Sequence, residues 1–305
     1  MSALNGCRWR DKIRRRTENL AIALKALFRE PNRQPWPLII KSLVLPSEKW
    51  LPQMKKHYES FIIDRSGENN TVTFDFKTIK VTVPACQAEY LPAVEVYFDI
   101  IYPFLVRNPL PSFFFEGPYE YGPVALNPAD VVLDIGANVG VFSFLAGRKV
   151  GPGGAVYGFE PSSENFQIFL KTLEINGRPG NVFPVQKAVG QSSGTLKLYL
   201  YGGATTGVVP HDQGTENVPV TTIDEFVAEH NLTRVDFIKM DIEGMERDAL
   251  KGAYKTLQRF KPKLSICTYH LPGDSKVIPE MVRDICPDYQ IIPSSKKAYA
   301  WAPEK

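Results

Sequence analysis

Apolar positions along this chain follow two periods, and the change from one to the other divides it. Between Trp9 and Phe28 the residues Trp9, Ile13, Leu20, Leu24, Leu27 and Phe28 fall on one helical stripe, with Arg8, Arg10, Lys12, Arg14, Arg15 and Lys25 mostly elsewhere. That pattern predicts a basic amphipathic helix, closed by Pro31, Pro35 and Pro37. A second helix is predicted from Ser47, with Trp50, Leu51, Met54, Tyr58 and Phe61 as its apolar positions. Residues 71–83, TVTFDFKTIKVTV, alternate with period two and read as two short strands turning near Lys77. A helix over 88–103 and an aromatic, turn-rich linker from Phe113 to Pro123 complete this part.

From Val131 onward, apolar strand candidates alternate with helical stretches. Strands are predicted at 131–135, 155–159, 182–187, 235–240 and 263–268, and helices at 140–149, 162–176, 245–258 and 277–286. Alternation of this kind predicts an α/β fold: a doubly wound, mostly parallel sheet with helices on its faces. Between the third and fourth strands, LKLYLY and PVTTI frame a glycine-rich loop, Gly202 to Gly207, placed to cover a ligand or to form an ordinary surface hairpin. The expected organisation is a small N-terminal α/β extension over 1–112 and a larger domain over 113–305.

With 305 residues and 44% hydrophobic content, the chain can bury a sizeable core without staples. Cys7, Cys86, Cys267 and Cys286 stand far apart with no C-x-x-C pair, which points to reduced thiols and away from a zinc site or a disulfide framework. The apolar run from Val94 to Val106 is interrupted by Glu95, Asp99 and Pro103 and is too short to span a bilayer. No secretory leader is read, so a cytoplasmic location is expected. The net charge of +3 conceals an asymmetry, since residues 1–60 hold 13 Lys/Arg against 5 Asp/Glu and leave the remainder acidic. The basic helix is therefore expected to pack on its own domain, with contact to an anionic membrane surface or partner as the alternative.

The candidate chemistry begins at Val131-Val132-Leu133-Asp134-Ile135-Gly136-Ala137-Asn138-Val139-Gly140, an apolar strand joined to a helix by a glycine turn. Gly136 and Gly140 permit the turn and the close approach of a ligand, and the helix start offers unpaired N–H groups. A dinucleotide fingerprint read from Gly136 fails at Asn138 and Val141. The form D-x-G-x-N-x-G resembles motif I of class I methyltransferases, which implies S-adenosylmethionine (SAM) held by Asp134, Gly136, Ala137, Asn138 and Gly140. Asp134 is expected to brace the turn by accepting backbone N–H bonds. Glu160, at the tip of the second strand and followed by Pro161, is placed to accept the ribose hydroxyls. Ala188, at the end of the third strand, is small enough to lie beside an adenine. Glu116, Tyr119 or Tyr121 either reaches the cofactor from the linker or plugs the space between lobes.

The fourth strand ends in Asp241-Ile242-Glu243-Gly244-Met245-Glu246, and His270 follows the fifth. Methyl transfer is an in-line displacement at a carbon the sulfonium has already activated, so the protein mainly aligns the acceptor and removes its proton. Asp241, Glu243 and His270 are the candidate bases, His270 because an imidazole ordinarily titrates near neutrality. Glu243 and Glu246 have a structural alternative, favouring the N-terminus of the next helix. No further ligand spacing accompanies these carboxylates, so no metal is assigned.

Taken in order, VVLDIGANVGVFSF, VYGFEPSSENF, AVG, VPVTTIDEF and VDFIKMDIEGMERDALKGA resemble the FkbM-type family of SAM-dependent methyltransferases over about residues 115–293. The resemblance implies a class I methyltransferase fold and O-methylation of a hydroxyl on a sugar, glycolipid or natural product. PKLSICTYHLPGDSKVIPEM is similar to a subgroup with a Tyr-His pair, here Tyr269 and His270, then Asp274, Ile278 and Pro279. The chain departs from the family at Thr268, where other members carry Glu, and in the basic-aromatic close, present only as Ser294 to Tyr299. No (D/N)-P-P-(Y/F) run follows the fourth strand, which by the same comparison argues against methylation of exocyclic amines in nucleic acid, while the basic extension leaves a nucleic-acid substrate open. A small hydroxylated acceptor is expected. The rivals are a SAM-binding adaptor without catalysis, contacting a partner or membrane through its basic helix, and a nucleotide-dependent oxidoreductase, which Asn138 disfavours.

Overall fold

The structure is a computed structural model that describes residues 61–67, 71–75, 79–84, 118–198, 214, 216–294 and 296–303. The helices expected over 9–28, from Ser47 and over 88–103, the loop at 202–207, Glu116 and the boundary at 112/113 lie outside these residues.

Three strands, β1 (Ile62–Gly67), β2 (Thr71–Asp75) and β3 (Lys80–Pro84), form an antiparallel sheet in the order β1-β2-β3. The alternation read over 71–83 is β2 and β3, and β1 is an additional strand. Phe74, Val81 and Val83 on this sheet share a hydrophobic core with Phe142 and Phe169 of the larger unit. Asn176 fastens the two together, accepting from the Lys80 N–H (2.8 Å) and donating to the Lys80 carbonyl (2.6 Å).

The larger unit alternates strand and helix: β4 (Val131–Ile135), α1 (Val141–Val150), β5 (Ala155–Phe159), α2 (Ser163–Ile175) and β6 (Val182–Val185). After β7 (Ala188–Val189), β8 (Gly194–Leu198), β9 (Glu216–Thr221) and α3 (Ile223–Glu229), the main sheet resumes with β10 (Phe237–Met240). Then follow α4 (Glu246–Lys251), α5 (Tyr254–Phe260), β11 (Lys263–Cys267), α6 (Asp274–Ile285), β12 (Gln290–Pro293) and β13 (Lys297–Trp301). The seven-stranded sheet runs β12-β13-β11-β10-β4-β5-β6. The five strands from β11 to β6 are parallel, whereas β13 pairs antiparallel with both β11 and β12. This is the doubly wound, mostly parallel α/β architecture expected from the alternation, with the segment after β6 folded as a separate small sheet, β7-β9-β8.

The apolar runs explain the burial. In β4, Val132 faces one core, shared with α1 and α2, and Leu133 and Ile135 face another, shared with α4, α5 and α6. From β4 the chain winds outward through β5 and β6, then returns to β10 on the other side of β4. The carboxyl ends of β4 and β10 therefore form a topological switch point, where doubly wound sheets leave an open crevice.

One expectation about elements is corrected, and one hairpin lies where no element was predicted. The helix expected over 245–258 is two helices, broken at Gly252, whose added Cβ would lie 2.2 Å from the Gly190 carbonyl oxygen. Asp224 then starts α5 by accepting from the Lys255 and Thr256 N–H groups at 2.9 and 2.7 Å. The antiparallel hairpin β12–β13 lies past the last predicted helix, in a stretch whose strand character is masked by Pro293 and by the lysines at 296 and 297.

Candidate active site

The turn after β4 is held by its neighbours. The N–H groups of Gly136 and Ala137 both donate to the Phe159 carbonyl, at 3.0 and 2.8 Å. Asn138 adopts a left-handed backbone, φ 51°, with its side-chain oxygen accepting from the Val139 N–H at 2.7 Å. The glycines are needed for a reason other than ligand approach. Gly136 has φ +86°, and an added Cβ would sit 2.0 Å from the Asp241 carbonyl oxygen; at Gly140, φ +82°, it would sit 1.9 Å from the Phe169 ring. Both are sites where protein meets protein, so the motif's spacing is set by strand and helix packing.

Asp134 braces this turn, though not through backbone N–H groups as expected. It is fully buried, accepts from the Ser143 hydroxyl at 2.5 Å, and pairs with Lys239 at 3.0 Å. Lys239 also donates to the Gly136 carbonyl, so one buried ammonium ties β10 to the motif. Lys239 was legible as an anomaly, a cation in the middle of the apolar run FIKM. A buried charge demands a partner, and Asp134 is directly across the parallel register.

Beside the turn lies a shallow, mainly apolar recess, with Phe159, Pro161, Ala188, Val189, Ile242 and Met245 among its walls. It gathers three of the positions read from sequence, Gly136, Pro161 and Ala188. Glu160 stands next to it, buried, with one oxygen accepting from the Asn138 N–H (2.9 Å) and the other from the Ser162 N–H (3.0 Å). Burial pushes the Glu160 carboxyl up to about 7 against these bonds and against Lys239. The Asn165 side chain also donates to this carboxylate, and of its about four acceptor positions one remains for a further donor.

The second half of the site is the loop after β10. Glu246 is buried and organises it, accepting from the Ile242 N–H at 2.9 Å and the Gly244 N–H at 3.0 Å. The same carboxylate meets His270 Nδ1 at 2.8 Å. Glu246 is the residue whose role was least visible in the sequence, where it reads as a helix-start acid. Glu243 adopts the left-handed region, φ 55°, uncommon outside glycine, and its carboxylate comes within 3.5 Å of His270 Nε2. Asp241 Oδ1 lies at the same distance, 3.5 Å, from that nitrogen.

The structure thus brings Asp241, Glu243 and His270 together at the carboxyl edge, with Glu246 behind them. It corrects one expectation about their chemistry. Burial alone would lower the imidazole pKa, but Glu246, Asp241 and Glu243 together hold it up to about 9, above the near-neutral value expected. Asp241 moves the other way: burial would raise it, but Lys239, Lys297, the Tyr119 hydroxyl and His270 hold it at about 2. Glu243 is raised, mainly by burial, and its side chain is one-third exposed.

Of the linker aromatics, Tyr119 reaches this site. Its hydroxyl donates to Asp241 Oδ2 at 2.5 Å, and the ammonium groups of Lys239 and Lys297 lie 4.9 and 4.5 Å from its ring centre. Tyr121 instead packs against Tyr299, with ring centres 5.3 Å apart. Thr268 is buried at the end of β11, its N–H donating to the Lys296 carbonyl at 2.8 Å.

Comparison with known proteins adds to this geometry. Residues 134–288 match the model of the methyltransferase FkbM domain. The chain is 30% identical over 132 residues to the hexuronic acid methyltransferase AglP of Haloferax volcanii, covering 42% of this chain and 52% of that protein. It is 27% identical over 162 residues to the 31-O-demethyl-FK506 methyltransferase FkbM of Streptomyces tacrolimicus, covering 42% and 61%. The crystal structure of methyltransferase FkbM from Methylobacillus flagellatus KT matches with a TM-score of 0.47 and 27% identity, over 61% of this chain and 48% of that one. The chain spans about half the length of the first of these relatives and under two thirds of the second. Among the described residues, no helix is long and apolar enough to cross a membrane.

Proposed function

The chain belongs to the FkbM methyltransferase family, and on that footing we propose that it methylates a hydroxyl of a sugar, glycolipid or natural product with SAM as donor. The observation that carries this reading is the joining of an apolar recess with Glu160 at its side to a polar cluster, Asp241, Glu243 and His270, across one switch point. The named relatives act on such acceptors: one is called a hexuronic acid methyltransferase, another a 31-O-demethyl-FK506 methyltransferase.

The residues present fit the donor. The apolar walls Ala188, Ile242 and Phe159 suit the face of a flat heterocycle, and the remaining acceptor position of Glu160 suits a ribose hydroxyl. Asp134 sits one step behind, fixing the turn that Gly136, Ala137, Asn138 and Gly140 form. When bound, SAM supplies a methyl group activated by its sulfonium. The chain's own contribution is alignment and charge. Glu243 is the carboxylate best suited to take the acceptor's hydroxyl proton, because burial makes it more basic than an ordinary carboxylate and its exposure leaves it reachable. His270 Nε2 faces Glu243 and Asp241 from one side at 3.5 Å, and the Tyr119 hydroxyl donates to Asp241 from the other. We further propose that the protein works in the cytoplasm on a small molecule.

Isothermal titration tests the donor assignment. SAM and S-adenosylhomocysteine are expected to bind at micromolar concentrations and NAD(P) not at all. The reverse preference would overturn the reading.

A further inference from the structure

We propose that Asp241, Glu243 and His270 form a divalent-cation site, with His270 Nε2, Asp241 Oδ1 and Glu243 Oε2 as its ligands.

The first observation is an orphan. His270 Nε2 is buried and has no hydrogen-bond partner, although its side chain is only 5% exposed. A buried ring nitrogen without a partner is costly, and such groups in native proteins call for an explanation, an ion among them. Two carboxylate oxygens face it from 3.5 Å, outside good hydrogen-bonding range. Ligand atoms that share a first-row cation, each about 2.1 Å from it, stand about 3.0–3.4 Å apart. The gaps around Nε2 are thus close to those a shared ion sets.

The second observation is the support behind the ligands. Metal-binding histidines donate their other ring N–H to a carboxylate, and ligating carboxylates are themselves hydrogen-bonded. Here Glu246 meets His270 Nδ1 at 2.8 Å, and Tyr119 donates to the far oxygen of Asp241 at 2.5 Å. The oxygen and nitrogen atoms of Asp241, Glu246 and His270 come within 4.8 Å of one another. Glu246 itself is better assigned to support than to ligation, since both its oxygens already accept backbone N–H bonds. Glu243 gives a further sign: it holds its left-handed backbone where a carboxylate is needed opposite the ring.

Charge points the same way. Lys239 is matched by Asp134, and Lys297 lies near Asp241, which leaves Glu243 and Glu246 as two negative charges facing one imidazole. A mixed nitrogen and carboxylate set suits Mn²⁺ or Zn²⁺. Three protein ligands leave positions open for an acceptor oxygen.

The consequence for the reaction rests on the methyltransferase reading above. A cation at this point would bind the acceptor's hydroxyl oxygen and make its proton easier to lose. That proton passes to the Glu243 oxygen outside the ligand set. The new O–CH₃ bond then forms as the S–CH₃ bond breaks, with the electron pair leaving on S-adenosylhomocysteine.

The test separates the two claims by using direct binding. Chelator-treated full-length protein is titrated with Mn²⁺ and followed by electron paramagnetic resonance, with Zn²⁺ and Mg²⁺ as calorimetric competitors, and S-adenosylhomocysteine binding is measured in parallel. One Mn²⁺ per chain is expected. Affinity should fall at least tenfold in His270→Ala and in Glu243→Gln, and also in Tyr119→Phe, which keeps all three ligands and guards against a ligand variant that fails to fold. S-adenosylhomocysteine should still bind each variant. No saturable binding of any of the three cations, or binding equal in wild type and all variants, would overturn the cation site. Loss of S-adenosylhomocysteine binding by the wild-type protein would count against the donor assignment and leave the metal result to be judged separately.

Discussion

Lys239 Nζ lies 3.0 Å from Asp134 Oδ1, and the two residues are register partners on adjacent parallel strands. Both side chains are almost wholly buried, at 4% and 0% exposure. A pair this deep contributes little net stability compared with apolar residues, but removing one partner strands the other. Lys239→Met should therefore destabilise the fold by about 3–5 kcal/mol in urea denaturation. Adding Asp134→Asn should recover much of that loss. Equal stability of the single and double variants would show that the charges do not depend on each other.

The glycine of the helix start makes a different prediction. Because a Cβ on Gly140 would meet the Phe169 ring at 1.9 Å and the backbone has φ +82°, Gly140→Ala combines overpacking with strain. It should cost about 1–3 kcal/mol. Phe169→Leu in the same chain should return part of this, since it relieves the contact and leaves the backbone strained. Thermal melts of the two variants decide the matter; an unchanged melting temperature for Gly140→Ala contradicts the packing role.

Glu160 links donor binding to pH. Its folded pKa of about 7 lies above the ordinary 4.5, so the folded chain keeps a proton that the unfolded chain loses first. Stability from this group is complete below about 4.5 and declines as pH rises towards about 7. Ribose hydroxyls donate to the ionised form, so binding runs the opposite way. S-adenosylhomocysteine affinity should rise with pH and level off above about 7, falling by about tenfold per unit below it. In Glu160→Gln the slope should vanish and the affinity drop throughout. A flat profile in the wild-type protein would mean that Glu160 does not hold the ribose.

Glu243→Gln tests the proposed part of this carboxylate in turnover. The variant should bind S-adenosylhomocysteine as the wild type does and turn over about 10²–10⁴ times more slowly. Full turnover in this variant would remove Glu243 from the proposed chemistry.

The legible part of this fold was the part written in long apolar runs. The positions of β4, β5, β10 and β11 follow from short apolar runs between turn signals, and DIGANVG marked the strand-turn-helix at the start of the larger unit. What remained hidden depended on contacts between distant segments. Lys297 looks like a surface lysine by type, yet it is buried beneath Tyr119, a residue more than a hundred positions away. Glu246 reads as an ordinary acid at a helix start, and only the return of β11 brings His270 against it. The imidazole's basicity could not be read at all, because three carboxylates from one loop set it and none is adjacent to it in sequence. The break at Gly252 was invisible for the same reason, since the carbonyl that forbids a side chain there belongs to Gly190.

The most direct test follows the methyl group. The protein is incubated with SAM carrying a ¹³C-labelled methyl and with extracts of hydroxylated small molecules, and products are identified by NMR and mass spectrometry. The account predicts label in an O-methyl group of a sugar, glycolipid or natural product, with S-adenosylhomocysteine formed in equal amount. Label on nitrogen, or protein that binds SAM yet transfers no methyl to any hydroxylated extract, would contradict it.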